Sequence, residues 1–154
     1  MYPLWLIAAA WWMVQDILQV FATPVVVVPD IYILMLGMSL IEERRSNISL
    51  LIAAFVGGLL WDMRWGSPFG FTALSYVGSL VAIKALWRII SKAARTPAMA
   101  IVLVFGTHLC SSAIGLTLHE DSTSLLSVPF MVKQIGALLL CFLMRAYLLR
   151  GVTD

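Results

Sequence analysis

The sequence predicts an all-α, polytopic membrane protein: a single domain over residues 1–154 with about six transmembrane helices, the second short or partly re-entrant. Three observations carry that prediction. The chain is 62% hydrophobic and only 12% charged, about half the charge of an ordinary soluble domain. Its apolar residues gather into runs at 3–22, 29–41, 48–63, 69–90, 98–118 and 128–149. Most lysines and arginines fall between those runs or at the end of the chain, as they do in cytoplasmic loops. No tandem repeat, low-complexity tract or polar stretch long enough for a second domain interrupts the pattern.

The first run has no lysine or arginine ahead of it and no clear small-x-small cleavage site, so it reads as a retained span and not a signal peptide. Gln15, Asp16 and Gln19 lie toward its far end. Positions 15 and 19 share a helical face, and Asp16 sits about 100° away. This group reads first as an interfacial anchor reaching water, and second as a polar spot facing a partner or substrate.

The second run is the irregular one. Pro24 and Pro29 bracket Val25 to Val28, and a residue before proline avoids helical backbone. A helix opening at Pro29, where proline is tolerated, reaches Ile41 after about 13 residues, too few for a core about 30 Å thick. Such a segment must be short, tilted or partly re-entrant, and re-entrant backbone survives only under cover of other helices.

The third run, 48–63, is also somewhat short but reaches the interface by continuing through Trp61 and Trp65, whose rings favour the headgroup level. The first, fourth, fifth and sixth are long enough to cross. Small residues are frequent in the third to sixth runs: Gly57, Gly58, Gly78, Gly106, Ser111, Ser112, Ala113, Gly115 and Gly136. Such residues let helix backbones approach closely where lipid offers no hydrophobic contrast.

Arg44 and Arg45, then Arg88, Lys92 and Arg95, then Arg145 and Arg150, all fall on one side of a six-span chain. Positive-inside reasoning makes that side cytoplasmic, together with both termini. Lys84 lies one turn before Arg88 and can snorkel to the same interface, whereas Arg64 and Lys133 fall on the opposite side. If the second run does not cross, the basic loops stay where they are and only the amino terminus moves. The outward loop beginning His119-Glu120-Asp121 is acidic and reads as a solvated connector, with contact to an extracytoplasmic partner as the sharper alternative.

Several functions are excluded or disfavoured. A net charge of +2 with no basic stripe gives no footprint for nucleic acid. Cys110 and Cys141 sit inside apolar runs and read as small hydrophobes. His108, flanked by Thr107, Ser111 and Ser112, has no second histidine or carboxylate at the three- or four-residue spacing that inward-facing metal sites use. Hydrogen-bonded packing is its simplest reading. With no nucleophile motif and no phosphate-cradling glycine loop, neither catalysis, a cofactor nor a metal is expected.

The stretch from Gly57 to Gly70, GGLLWDMRWGSPFG, stands out. Asp62 closes the third run at the outer surface, where its charge need not be buried. Gly66, Pro68 and Gly70 then break the helix and reverse the chain, pinning two helices as a tight antiparallel hairpin. Asp62 and Arg64 are two apart and do not face each other on a helix. Asp62 therefore either pairs with Arg64 through an unwound turn or accepts hydrogen bonds from amides around 67–70.

A run ending G-G-L-L-W-D, then G-S-P-F-G and T-A-L, resembles the signature of the MreD family, rod shape-determining membrane proteins of the bacterial elongation machinery. Pro29-Asp30 is similar to the proline-acid pair that opens that family's second helix. The resemblance implies a non-enzymatic inner-membrane scaffold that binds MreC, a single-span periplasmic protein, and through it the cell-wall synthase pair and MreB filaments. It also implies a helical architecture similar to the substrate-binding subunits of energy-coupling-factor transporters. The positions carried over are Pro29, Asp30, Gly57, Gly58, Asp62, Gly66, Pro68 and Gly70. Most are expected to be structural, with Asp30 and Asp62 foremost as contacts for a partner. Self-association through the small-residue faces stays open. The rival readings are a transporter subunit binding a vitamin-like molecule, for which Asp16, Trp61, Asp62, Arg64, Trp65 and Lys133 are the outward candidates, and an intramembrane enzyme.

Overall fold

The computed structural model describes residues 4–22, 28–42, 46–65, 68–118 and 127–150. Among them are six α-helices, α1 (Leu4–Val20), α2 (Ile31–Ile41), α3 (Asn47–Trp65), α4 (Phe71–Ile89), α5 (Pro97–Leu118) and α6 (Val128–Arg150), with a 3-10 turn at Lys92–Ala94 between α4 and α5. The chain is thus all-helical where it is described.

The organising element is α2. It is apolar around its whole circumference, and a helix of that kind belongs inside a bundle. All of its residues except Ser39 are buried, with Leu34, Leu36, Met38 and Leu40 among the most enclosed side chains. It touches each of the other five helices. Those helices form an arc in the order α1, α3, α4, α5, α6, with every successive pair in contact. At 11 residues, α2 is about 16 Å long, roughly half the hydrocarbon thickness.

Side-chain contacts fix where that half lies. The backbone N–H of Tyr32, in the first turn of α2, meets Gln15 late in α1, and the Tyr32 hydroxyl meets Ala53, seven positions into α3. The helix therefore starts near mid-depth of its neighbours, and Val28 to Asp30 lead into it without helical structure. The short, covered second segment expected from the sequence is a half-helix at the centre of the bundle.

Parallel packing of α2 and α6 is set by two ion pairs. Asp30 meets Lys133 at 2.9 Å, and Glu42, at the other end of α2, meets Arg145 at 2.7 Å. Each base lies 103 residues after its acid, so the two helices run in the same direction in constant register.

By length and hydropathy, α3 and the 128–146 part of α6 can each cross a bilayer, while α1, α2 and the 97–113 part of α5 are shorter apolar helices. The third segment is thus longer than its apolar run suggested, because the helix continues to Trp65. Although as long as α3, α4 is not among those two, since Ser75, Ser79, Lys84 and Arg88 dilute its apolar character.

Candidate functional site

The hairpin of α3 and α4 is built on two features of the 57–70 stretch. A Cβ added to Gly58 would overlap the backbone of Ala73, so only glycine lets the two helix axes come this close. One turn further along α3, Asp62 sits against the start of α4. Its oxygens accept the backbone N–H of Thr72 at 3.1 and 3.2 Å. Gly70, the residue preceding α4, has φ 86° and makes no side-chain cap, as it has none to offer. Asp62 supplies the missing acceptor from across the hairpin, and its negative charge suits the positive end of the α4 dipole.

Asp62 is only 3% exposed. The expectation that its charge would lie in water at the end of a span is therefore corrected: the helix runs on to Trp65, and the carboxylate turns inward. Of the two pairings open to it, the amide contact is realised, at Thr72, two residues beyond the stretch expected. Gly66 and Ser67 lie outside the described residues. Pro68 accepts the N–H of Phe71 through its carbonyl at 3.0 Å, closing the turn into α4.

Arg64 finds its acid elsewhere. Its guanidinium pairs with Asp16 of α1 at 3.2 Å, and the Trp65 indole N–H donates to the same carboxylate oxygen at 3.2 Å. The rings of Trp61 and Trp65 lie 5.8 Å apart, and the Arg64 guanidinium stands 5.8 Å from the centre of the Trp65 ring. Asp16 thus clips the end of α1 to that of α3. Its helical neighbour Gln15 is buried and hydrogen-bonds the Tyr32 amide at 2.7 Å, so it caps α2 instead of reaching water.

Deeper in the bundle, a second polar group gathers at the start of α2. Asp30 binds Lys133 and stands 3.4 Å from His108 Nε2. The Asp30 backbone N–H donates to that same nitrogen at 3.3 Å, and His108 Nδ1 lies 3.2 Å from Gln134 Oε1. With Nδ1 donating to Gln134 and Nε2 accepting the Asp30 amide, one ring serves both hydrogen bonds. A carboxylate does stand beside His108, which no spacing along α5 announced: it comes from a position 78 residues away. Two amides at the mid-depth end of α2, those of Tyr32 and Asp30, are thereby met by side chains of α1 and α5, as buried helix ends require. Among the described residues, no group of three or more His, Cys, Asp or Glu is placed to hold a metal.

The remaining positions singled out from the sequence are placed as follows. A Cβ on Gly57 would overlap the Tyr32 ring, and the Gly57 carbonyl accepts the Trp12 indole N–H at 3.0 Å. Pro29 packs across from Gly136, 3.6 Å from a Cβ built there. Gly115 lies in α5, but its surroundings are outside the described residues. Along the outer flank of the hairpin, Phe55, Phe69, Gly70, Phe71, Leu74 and Val77 line an open groove of about 540 Å³ with no polar side chain.

A family model described as rod shape-determining protein MreD matches residues 2–150 of the 154. The chain belongs to the MreD family. Among curated proteins and among solved structures nothing matches. As a member of the MreD family it is a rod shape-determining membrane protein of the bacterial inner membrane. In this MreD chain the family-like residues Asp62 and Gly58 meet at one place, the crossing of α3 and α4, while Pro29 and Asp30 meet α6 at the head of α2.

Proposed function

We propose that this MreD chain is a non-enzymatic scaffold that binds MreC and, through it, the cell-wall synthase pair and MreB filaments. The family match over residues 2–150 is the observation that carries the reading. It is supported by how the polar interior is used: Gln15, Asp62 and His108 all engage backbone amides that order the bundle. The alternative, a vitamin-binding transporter subunit, wants convergent polar groups around a cavity. The groove beside the hairpin has none.

Two glycines suggest where the MreC span docks. Gly57, Gly58 and Gly136 are occupied by contacts inside the bundle, whereas Gly78 of α4 and Gly106 of α5 have nothing among the described residues within 4 Å of an added Cβ. The outside helix docks on α4 and α5 at these two glycines, with the 62–70 turn and the 119–127 segment, of which 119–126 lie outside the described residues, contacting the juxtamembrane part of MreC. The carboxy terminus lies in the cytoplasm, and a second copy of the chain competes for the same face.

The test is co-purification with tagged MreC. Gly78→Leu and Gly106→Leu should each lower MreC recovery severalfold while leaving the detergent melting temperature within a few degrees. Undiminished recovery in both variants refutes the docking face. Failure to recover MreC with the unaltered chain, combined with stabilisation by a vitamin-like solute, refutes the scaffold reading itself.

A further inference from the structure

The junction of α4 and α5 carries a cation cluster that the scaffold reading does not use. Arg88 closes α4, Lys92 opens the 3-10 turn and Arg95 follows it, with Lys84 one turn earlier on the face of Arg88. No aspartate or glutamate occurs anywhere between Asp62 and Glu120. Arg88 and Lys92 are exposed, and among the described residues neither side chain has a hydrogen bond or ion pair. Arg95 is held in place: it donates to the carbonyls of Ile90 at 3.1 Å and Arg88 at 3.4 Å, and its guanidinium stands 5.6 Å from the centre of the buried Trp87 ring. Those two bonds use two of its five donors.

The apolar neighbours decide what kind of anion fits. Ile89 beside Arg88 is 80% exposed, and Val81, two turns before Arg88 on its helical face, is exposed as well. A water-soluble acidic partner meeting Arg88 would leave Ile89 against water. A phospholipid covers both at once, placing its acyl chain along Val81 and Ile89 and its phosphodiester among Arg88, Lys92 and the free edge of Arg95. From Lys84 to Arg88 the cations climb about 6 Å along α4, close to the thickness of one headgroup layer. We infer that the α4–α5 junction is a binding site for the headgroup of an anionic phospholipid.

Native mass spectrometry of the full chain in neutral detergent, titrated with phosphatidylglycerol against phosphatidylcholine of matched chains, tests this. The unaltered chain should retain phosphatidylglycerol preferentially, and the preference should fall as salt rises. Neutralising two cations in Arg88→Gln/Lys92→Gln should cut the preference on the order of 25-fold, fivefold for each charge. Arg64→Gln at the opposite end should leave it unchanged, and the charge-conserving Arg88→Lys/Lys92→Arg should retain most of it. No preference in the unaltered chain, a preference that survives the double neutralisation, or displacement of phosphatidylglycerol by soluble polyglutamate would each overturn the assignment. The first and last outcomes are read on the unaltered chain, so the inference stays exposed even if a variant fails to fold.

Discussion

Asp62 shows how much one side chain decides in this chain. A carboxylate near the end of a membrane helix is tolerated in water, yet here it is buried, because the first turn of α4 needs an acceptor that Gly70 cannot provide. Asp62→Ala should therefore lower stability by about 1–2 kcal/mol, the usual cost of a lost helix cap, read as a fall in melting temperature in detergent. Asp62→Asn keeps an acceptor and should recover part of that loss. Equal melting of the alanine variant and the unaltered chain would show that the Thr72 contact contributes nothing. The same residue was legible from the sequence as part of the hairpin, because glycine, proline and aspartate cluster around it. Its acceptor role was legible only as one of two choices, since a spacing of two from Arg64 says nothing about Thr72, ten residues on. His108 was less legible still: its partners come from the start of α2 and from α6, and no pattern within α5 predicts them.

Between elements, two devices hold the bundle: a glycine crossing and paired charges. Gly58→Ala forces α3 and α4 apart at Ala73 and should destabilise by about 1–3 kcal/mol, the ordinary cost of overpacking. Gly78→Ala, where the Cβ meets nothing, should melt like the unaltered chain. Identical melting of the two variants would deny the close crossing. The Asp30–Lys133 pair makes a double-mutant cycle informative. Removing one charge leaves the other unpaired inside the membrane, so Lys133→Met alone should cost toward the lower end of the roughly 3–5 kcal/mol seen for broken buried pairs, because both groups keep some exposure. Removing both charges, in Asp30→Asn/Lys133→Met, should recover much of the loss, and the cycle should show clear coupling. Additive losses would mean that the pair does not act as a unit. The register it sets, with Glu42–Arg145 repeating the same separation at the other end of α2, is a tertiary property; the acids and bases were visible singly, but their matching was not.

For the whole molecule, the six helices of the described residues place both termini on the same side if each alternates in direction. A reporter fused to the amino terminus, active only in the cytoplasm, should therefore be active, as should one at the carboxy terminus. An inactive amino-terminal fusion beside an active carboxy-terminal one would mean five crossings and a second segment that turns back. Composition and the spacing of apolar runs were sufficient for the class of fold, the number and order of the helices and the position of the hairpin, because the bilayer imposes length and hydrophobicity on each span separately and those are local quantities. The brief motif at 57–70 was sufficient for the family resemblance. Only the tertiary structure decided that the shortest helix is the central one, that it starts at mid-depth with its amides capped by Gln15 and His108, and that Asp30 and Glu42 lock it to α6. Those outcomes depend on which faces meet across tens of residues, and in a chain whose helices are apolar on nearly every side, hydrophobic periodicity cannot tell one face from another.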